Sequence, residues 1–175
     1  MNGGTFTMKG GEISGNTAAS YSSYSSCGGG VYVVDGTFTM SDGEILNNAT
    51  YCYSSSYSAY GGGVFVSYGT FIISGGEVSG NSSSSSTSAY GGGVFINRSV
   101  FKKNGGTIFG YTNSDINSNV VKINSVIQQN KGHAIYAHNI DNNYIKHKET
   151  ISGWFDNLFY DAAVDPPVWS GDWDY

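Results

Sequence analysis

The chain has 175 residues and a formal net charge of −5, with 39% of its residues hydrophobic and only 12% charged. This balance excludes a disordered polar chain, and an acidic chain with scattered basic residues lacks the basic stripe of a nucleic-acid-binding protein. No run of about 18 apolar residues occurs, so the sequence predicts no membrane span. Its first 30 residues also lack the basic start and apolar run of a signal peptide.

Three short blocks recur in a fixed order from the start of the chain. The first copies are Gly4-Thr5-Phe6, then Gly11-Glu12-Ile13, and then a Gly-Gly-Gly-Val-Tyr block at 28–32, and further copies follow every 30 to 33 residues. Each block places β-branched and aromatic residues between glycines, which is typical of short strands separated by turns. No segment has the 3.6-residue period of an amphipathic helix.

The variation in repeat length falls outside these blocks, in Ser/Tyr-rich stretches at 16–27, 48–60 and 81–90. We interpret these stretches as loops, because a loop tolerates a change of length. A strand that gains one residue turns its following side chains to the opposite face. The three blocks alone are therefore expected to form a triangular coil.

The sequence predicts an all-β fold, a right-handed parallel β-helix (solenoid) of about four to five rungs, with Ser/Tyr-rich loops and a C-terminal aromatic cap. Stacked rungs place equivalent residues about 4.8 Å apart. Three inward columns are expected: Phe6, Phe38, Phe71 and Phe101; Ile13, Ile45, Val78 and Ile108; Val31, Val64, Val94 and Ile135. Asn16, Asn48 and Asn81 are expected to ladder their amides, in left-handed backbone geometry that asparagine tolerates.

The period breaks after Gly110. An inserted strand is expected around 120–126 and a last strand at 144–151. The final residues, 152–175, concentrate aromatic side chains among aspartates, and an open solenoid end needs a cover. We therefore predict β-helix repeats over 1–151 and a capping segment over 152–175. The alternative is an aromatic tail that binds sugar or docks a partner.

The repeated motifs also resemble a known class. Gly29-Gly30-Val31-Tyr32 and Ile13-Ser14-Gly15-Asn16, with their copies, resemble the Gly-Gly-Ala-Ile and Phe-x-x-Asn repeats of polymorphic outer-membrane proteins and related bacterial surface proteins. The resemblance covers roughly residues 3–137 and departs from the pattern where Val replaces Ala-Ile and where Ile or Leu replaces Phe. It implies a pectin-lyase-like right-handed β-helix and an extracellular or cell-surface location, within a larger or exported protein. This fold hosts enzymes, adhesins and passive stalks alike.

The sequence offers little for catalysis. Residues 1–110 contain two aspartates and no histidine, so the acidic cluster of a carbohydrate-active enzyme is missing and no catalytic residue is predicted. Glu12, Glu44 and Glu77 stack in one column that either binds calcium or points into solvent, and no other cofactor is expected. His133, His138 and His147 fit no metal spacing and are expected to be packed or solvated. Cys27 and Cys52 are either free thiols or a disulfide between adjacent rungs.

Aromatic side chains are the candidate ligand-binding residues. Tyr32, Phe65, Phe95 and Tyr136 form a column that faces outward, where it would stack on sugars, or inward as core. Tyr53, Tyr57 and Tyr60 lie in stretches whose Tyr/Ser composition is typical of adaptable binding loops, although they also suit plain spacers.

These features give three functional hypotheses. The leading one is a noncatalytic stalk or adhesin that contacts a glycan or a host or cell-surface protein. The second is end-to-end self-association into filaments through uncovered strand edges. A carbohydrate-active enzyme is the third and is disfavoured, because the acidic cluster is missing.

Overall fold

The computed structural model describes residues 1–111, 116–128 and 133–138, together with the strand backbone at 145–146 and 158–161. These residues form strands and no helix.

The first repeat contains β1 (Thr5–Ser14), β2 (Thr17–Ser20), β3 (Ser26–Cys27) and β4 (Val31–Val34). The second contains β5 (Thr37–Leu46), β6 (Ala49–Cys52), β7 (Ser58–Tyr60) and β8 (Val64–Ser67). The third contains β9 (Thr70–Ser79), β10 (Ser82–Ser85), β11 (Ser88–Tyr90) and β12 (Val94–Asn97). The fourth contains β13 (Val100–Ile108), β14 (Val120–Ile123), β15 (Val126–Ile127) and β16 (Ile135–His138), and it is followed by β17 (Ile145–Lys146) and β18 (Leu158–Asp161).

Equivalent strands of successive repeats pair in parallel and form four sheets. Sheet I has the order β1-β5-β9-β13-β17, and sheet II has the order β2-β6-β10-β14-β15, in which only β15 is antiparallel. Sheet III is β3-β7-β11, and sheet IV is β4-β8-β12-β16-β18. The chain is thus a parallel β-solenoid of about three turns, which confirms the predicted all-β repeat architecture.

The main core lies between sheets I and IV. It contains the predicted columns and a further set of buried residues outside them, among them Met40, Ile73 and Val66. Phe6 pairs with Phe38, Phe38 with Phe71, and Phe71 with Phe101, and the other two columns pair in the same register. The inner members of each column are fully buried. Equivalent apolar side chains therefore lie on one another because parallel strands pair in register. All three predicted columns are confirmed.

The Ser/Tyr-rich stretches are not plain loops, so that prediction was wrong. Most of their residues form sheets II and III, in which backbone groups bond to the same position of the next repeat. Serine is a poor strand former, but a stacked neighbour offers every buried N–H and C=O group a partner, and this outweighs propensity. The length change falls between the two sheets, where 53–57 in the second repeat corresponds to 86–87 in the third.

Two of the three predicted strands of each coil are in fact one. The Thr-Phe and Glu-aliphatic blocks share the ten-residue strands β1, β5 and β9, which bend at a glycine without leaving the sheet. Gly43 and Gly76 adopt φ of 97° and 82° at these bends, and the register shifts close to the equivalent bend of β1 and of β13. A glycine makes the bend accessible because it lacks a Cβ atom.

The asparagine ladder is present, and it is longer than predicted. The side-chain amide of Asn16 donates to Asn48 Oδ1 at 3.0 Å, that of Asn48 to Asn81 at 3.1 Å, and that of Asn81 to Asn119 at 2.9 Å. The expected left-handed geometry is not found at these asparagines. It occurs one residue earlier, for example at Asn47 with φ of 56°.

The break in the period after Gly110 is confirmed. The register offset rises where Ser82 pairs with Val120, and the predicted inserted strand is β14, the fourth copy of sheet II. Within the predicted strand 144–151, only β17 is described. The proposed cap at 152–175 lies outside the described residues except for the backbone of β18, which pairs in parallel with β16.

Candidate functional site

The outer face of sheet IV carries a column of four aromatic rings. In β4, Val31 and Val33 point into the core, so Tyr32 between them points outward, and the same alternation applies to the strands above. Ring centroids are 5.2 Å apart between Tyr32 and Phe65, and 5.5 Å apart at the next two steps to Phe95 and Tyr136. The orientation that the sequence left open is therefore outward.

This column is not an open platform, because a second set of tyrosines packs against it. Tyr60 of β7 lies 4.6 Å from the ring of Phe95, and Tyr90 of β11 lies 4.7 Å from that of Tyr136, both tilted. Cover from this side leaves Phe65, Phe95 and Tyr136 no more than 8% exposed. In the first repeat the equivalent of Tyr60 is Cys27. A thiol covers less area than a phenol ring.

Tyr32 is also the first ring of the column and stacks on Phe65 alone, and it is 45% exposed, unlike its buried neighbours in the column. Desolvation raises the pKa of the Tyr32 hydroxyl above its usual value, and the neighbouring Cys27 makes a smaller contribution in the same direction. Burial, with a smaller contribution from Cys52, raises the pKa of Cys27 to about 12. Cys27 thus stays a protonated, apolar thiol at neutral pH rather than a nucleophile. Both cysteines are free.

The two aromatic sets border a cavity of about 410 Å³ that we call the aromatic groove. Its lining residues are Cys27, Tyr60, Phe65, Tyr68, Tyr90, Phe95, Asn97, Arg98, Tyr136 and His138. Aromatic rings form the floor, and polar side chains from the ends of β8, β12 and β16 form one rim. A cavity that combines aromatic rings with a few polar groups at one side is a common form of small-ligand site.

The rim is built by a corner that recurs in the first three repeats. Tyr68 and Arg98 follow β8 and β12 in equivalent positions, and both adopt left-handed backbone geometry with φ of 52° and 47°. Arg98 Nη1 donates to the Tyr68 hydroxyl at 2.6 Å, and the guanidinium carbon lies 5.7 Å from the Tyr68 ring centroid. This contact holds an exposed cation at the rim of the groove.

Asn97 supplies a further polar group beside Arg98. Its side-chain nitrogen donates to Ser67 Oγ at 3.1 Å, whereas its Oδ1 atom is buried and accepts no hydrogen bond. A buried acceptor without a partner is costly, and it gains from any donor that reaches it.

The predicted ligand-binding residues separate into two surfaces. Tyr60, Phe65, Phe95 and Tyr136 line the aromatic groove, and Tyr32 continues the column below it. Tyr53 lies on the outside of sheet II, where its ring stacks on Tyr21 at 4.8 Å. Tyr57 lies on the connection between sheets II and III and is 40% exposed. The structure therefore does not bring all seven residues together.

Sequence reasoning missed the polar rim of the aromatic groove. Tyr68, Asn97, Arg98 and His138 lie at or just beyond strand ends, where the repeat is least regular. Their positions in the repeat could have revealed that Tyr68 and Arg98 lie side by side, because both directly follow the fourth strand of their repeat. Tyr90 was recognisable in the same way, because it precedes a glycine triplet as Tyr60 does.

A second cavity of about 410 Å³, the serine groove, lies on the outside of sheet II. It is lined by Tyr51, Cys52, Tyr53, Ser84, Ser85, Ser86, Lys122, Asn124 and Ser125. Tyrosines from the second repeat form one side, serines from the third form the floor, and the β14–β15 hairpin of the fourth forms the other side.

The proposed calcium column has the expected register. Glu12 pairs with Glu44 and Glu44 with Glu77, the first two side chains are exposed, and Thr107 takes the fourth position. Within the described ranges, no group of three or more His, Cys, Asp or Glu side chains is arranged to hold a metal ion. Calcium binding by this column stays a prediction.

The histidines have separate surroundings. His133 is fully buried, and its Nδ1 atom accepts a hydrogen bond of 2.9 Å from the Val121 backbone N–H. His138 lines the aromatic groove. His147 lies outside the described residues.

No protein-family model matches the chain, and comparisons with curated proteins and with solved structures gave no match. Among the residues that the structure describes, none belongs to a helix with the length and hydropathy needed to cross a bilayer.

Proposed function

We propose that this chain is a noncatalytic module of an extracellular bacterial surface protein, a right-handed β-helix of about four to five rungs that acts as an adhesin or stalk. Its aromatic groove is the proposed contact site, and the proposed ligand is a glycan. The single observation that carries this proposal is a floor of stacked rings beside a polar, cationic rim.

A sugar suits both parts of the groove. One face of a pyranose ring presents C–H groups, which pack on an aromatic ring, while its hydroxyls require donors and acceptors around the edge. The half-buried rings of Tyr60 and Tyr90, which cover the column, offer the apolar part. The Arg98 guanidinium offers donors at the rim, and the exposed Tyr68 hydroxyl beside it offers an acceptor.

The lining chemistry supports a binding role rather than catalysis. Glycoside hydrolysis uses a pair of carboxyl groups, and the residues that line the aromatic groove include neither aspartate nor glutamate. The thiol of Cys27 is protonated at neutral pH and is a poor nucleophile. The proposed role is therefore to hold a glycan without changing it.

The test compares Tyr60→Ser with Tyr57→Ser on a glycan array, followed by calorimetry with the best ligand. Tyr60 lines the groove, whereas the exposed Tyr57 does not, so the pair separates loss of the site from loss of any surface tyrosine. We expect Tyr60→Ser to weaken binding at least about tenfold, because a stacking surface is lost. We expect Tyr57→Ser to bind like the wild type.

Because Tyr60 also packs on Phe65, a rim variant serves as a second test. Arg98→Gln removes the charge from an exposed side chain and leaves the core intact, and about fivefold weaker binding is expected. Equal losses in Tyr57→Ser and Tyr60→Ser, or full binding in both Tyr60→Ser and Arg98→Gln, would refute the groove. Cleavage of a bound glycan by the purified chain would refute the noncatalytic role.

A further inference from the structure

The serine groove exists because one repeat lacks the large side chains of its neighbour. Along the outside of sheet II, Tyr51 pairs in register with Ser84, and Ser84 pairs with Lys122. The next outward positions, just beyond the strand ends, are Tyr53 and Ser86, and the run of serines at 82–86 thus leaves a depression beside two phenol rings.

A stack of rings ends at this depression. Tyr21 and Tyr53 lie 4.8 Å apart with an angle of only 6° between their planes, so each repeat adds one ring to the stack. Ser86 holds the next position and contributes no ring. Tyr53, with the ring of Tyr51 beside it at 6.2 Å, therefore borders a space of about one strand spacing in which a third ring of the stack would lie.

A tight hairpin forms the far side of the serine groove. β14 and β15 pair antiparallel, with Ile123 opposite Val126, so only Asn124 and Ser125 connect them. Both connecting residues have positive φ, 49° and 65°, which is the geometry of a tight two-residue hairpin. Lys122 and Asn124 thus face the tyrosines across two strand spacings, about 9.6 Å between backbones.

The serine groove is lined by one positive charge and by several hydroxyl groups. Lys122 is the only charged residue among those that line it. The Ser86 hydroxyl donates to the Ser54 carbonyl at 3.1 Å, which leaves its oxygen free to accept a hydrogen bond. The Ser84 hydroxyl and the Asn124 amide add donors and acceptors between the rings and the ammonium group.

We infer that the serine groove is a second binding site, for one ring of an anionic saccharide that carries a sulfate or carboxylate group. The ring stacks on Tyr53 in the place that a third tyrosine would occupy, its hydroxyls bond to the serine floor, and its anionic group pairs with Lys122. This site is separate from the aromatic groove and does not depend on the function proposed for it.

Three oligosaccharide probes of equal length test the ligand class: a sulfated dextran oligosaccharide, an oligogalacturonate and the unmodified dextran oligosaccharide. Each is titrated by calorimetry into the full chain. We expect binding of at least one anionic probe and clearly weaker binding of unmodified dextran. The sulfated and carboxylated probes distinguish the two sources of charge. Equal binding of unmodified dextran, or no binding of any probe at millimolar concentration, would overturn the inference.

Two variants test the location. Ser86→Tyr fills the groove with the missing ring and is expected to weaken binding more than about tenfold, while continued stacking keeps the fold intact. Lys122→Gln removes the charge and leaves a polar, slightly shorter side chain, and about fivefold weaker binding is expected. Lys102→Gln, on sheet I, is the matched control and should bind like the wild type.

The anionic probe could also bind in the aromatic groove, because Arg98 lies at its rim. Tyr60→Ser, which alters the aromatic groove and leaves the serine groove unchanged, distinguishes the two sites. Unchanged binding of the anionic probe by Tyr60→Ser, together with its loss in Ser86→Tyr, would support the serine groove. The reverse result would overturn the inference and assign the anionic ligand to the groove with Arg98. Absence of any effect of Ser86→Tyr and Lys122→Gln would also overturn it.

Discussion

Asn48 shows how much a single buried side chain contributes to the stacking of this solenoid. It is fully buried, its amide nitrogen donates to the carbonyl of Ile13 at 2.8 Å, and its oxygen accepts from both the backbone and side-chain N–H groups of Asn16. Its backbone N–H and its side chain both bond to Asn81 Oδ1. One residue therefore links three repeats.

We expect Asn48→Ala to lower the free energy of unfolding by about 3 kcal/mol, because several buried groups lose their partner at once. Equilibrium denaturation in urea measures the change. Asn104→Ala, at an exposed position of β13, is the control and should cost less than about 0.5 kcal/mol. A similar loss in both variants would contradict the structural role of the ladder.

The ladder also shows what one sequence reveals at this scale. Asn16, Asn48 and Asn81 recur at a fixed place in the repeat, so their amide stacking was predictable. Asn119 was not, because the fourth repeat is longer and its surroundings no longer match the motif. The outward direction of Tyr32 was equally undecidable, since Val and Tyr alternate and both are found in cores.

At the scale of the element, backbone pairing overrode local composition. The serine run of β10 has no apolar pattern, yet it pairs in register with β6 and β14. Interpretation as a loop rested on the variation in length of these stretches, which in fact falls in the short connection between two strands. Buried backbone groups of stacked repeats need to pair, and this need acts on a serine run as well. The same limitation hid the serine groove, because a depression in a sheet surface requires the sheet to be known first.

The glycine triplets were predicted as corners, and the structure gives each member a separate reason. Gly61 turns the chain with φ of 62°. A Cβ atom at Gly62 would collide with the carbonyl oxygens of Gly92 and Ser82, and one at Gly63 would lie 3.0 Å from the side chain of Asn81. The second and third glycines therefore serve close stacking and make room for the asparagine ladder.

Gly62→Ala is accordingly expected to lower the free energy of unfolding by about 3 kcal/mol, because the added methyl group meets backbone that cannot move aside. Gly15→Ala is the matched control. Gly15 has φ of 64°, but a methyl group added there would meet no other part of the chain within 4 Å, so only backbone strain of about 1 kcal/mol is expected. Urea denaturation measures the free energy of unfolding of both variants. Equal losses in the two variants would contradict the close approach of the repeats at Gly62.

For the whole molecule, the period was the strongest signal and the easiest to predict. Copies at 30 to 33 residues indicated stacked repeats, and the register of sheets I and IV confirms them. The prediction lost accuracy where the period changes, between β13 and β16, since an irregular repeat offers no copy against which to align it. Binding function is the least predictable level, because grooves arise from differences between repeats rather than from the repeat itself.

Each repeat of a solenoid contacts only its neighbours, so the cost of a core deletion depends on its position along the axis. The ring of Phe71 is fully buried between those of Phe38 and Phe101, with centroids 4.9 and 5.5 Å away. Phe6 holds the same place in β1 but has one stacking neighbour, at 5.2 Å, and is 40% exposed. The two residues thus form a matched pair for one substitution.

We expect Phe71→Ala to lower the free energy of unfolding by about 4 kcal/mol and Phe6→Ala by about 1.5 kcal/mol, because the lost burial and the cavity are both larger at the inner position. Urea denaturation followed by circular dichroism gives both values, and its slope reports whether the chain still unfolds as one unit. In Phe71→Ala the interfaces of the third repeat with the second and with the fourth are both weakened, so a broadened transition is expected there and not in Phe6→Ala. Equal costs with equal slopes would contradict a stack in which stability is transmitted from each repeat to the next.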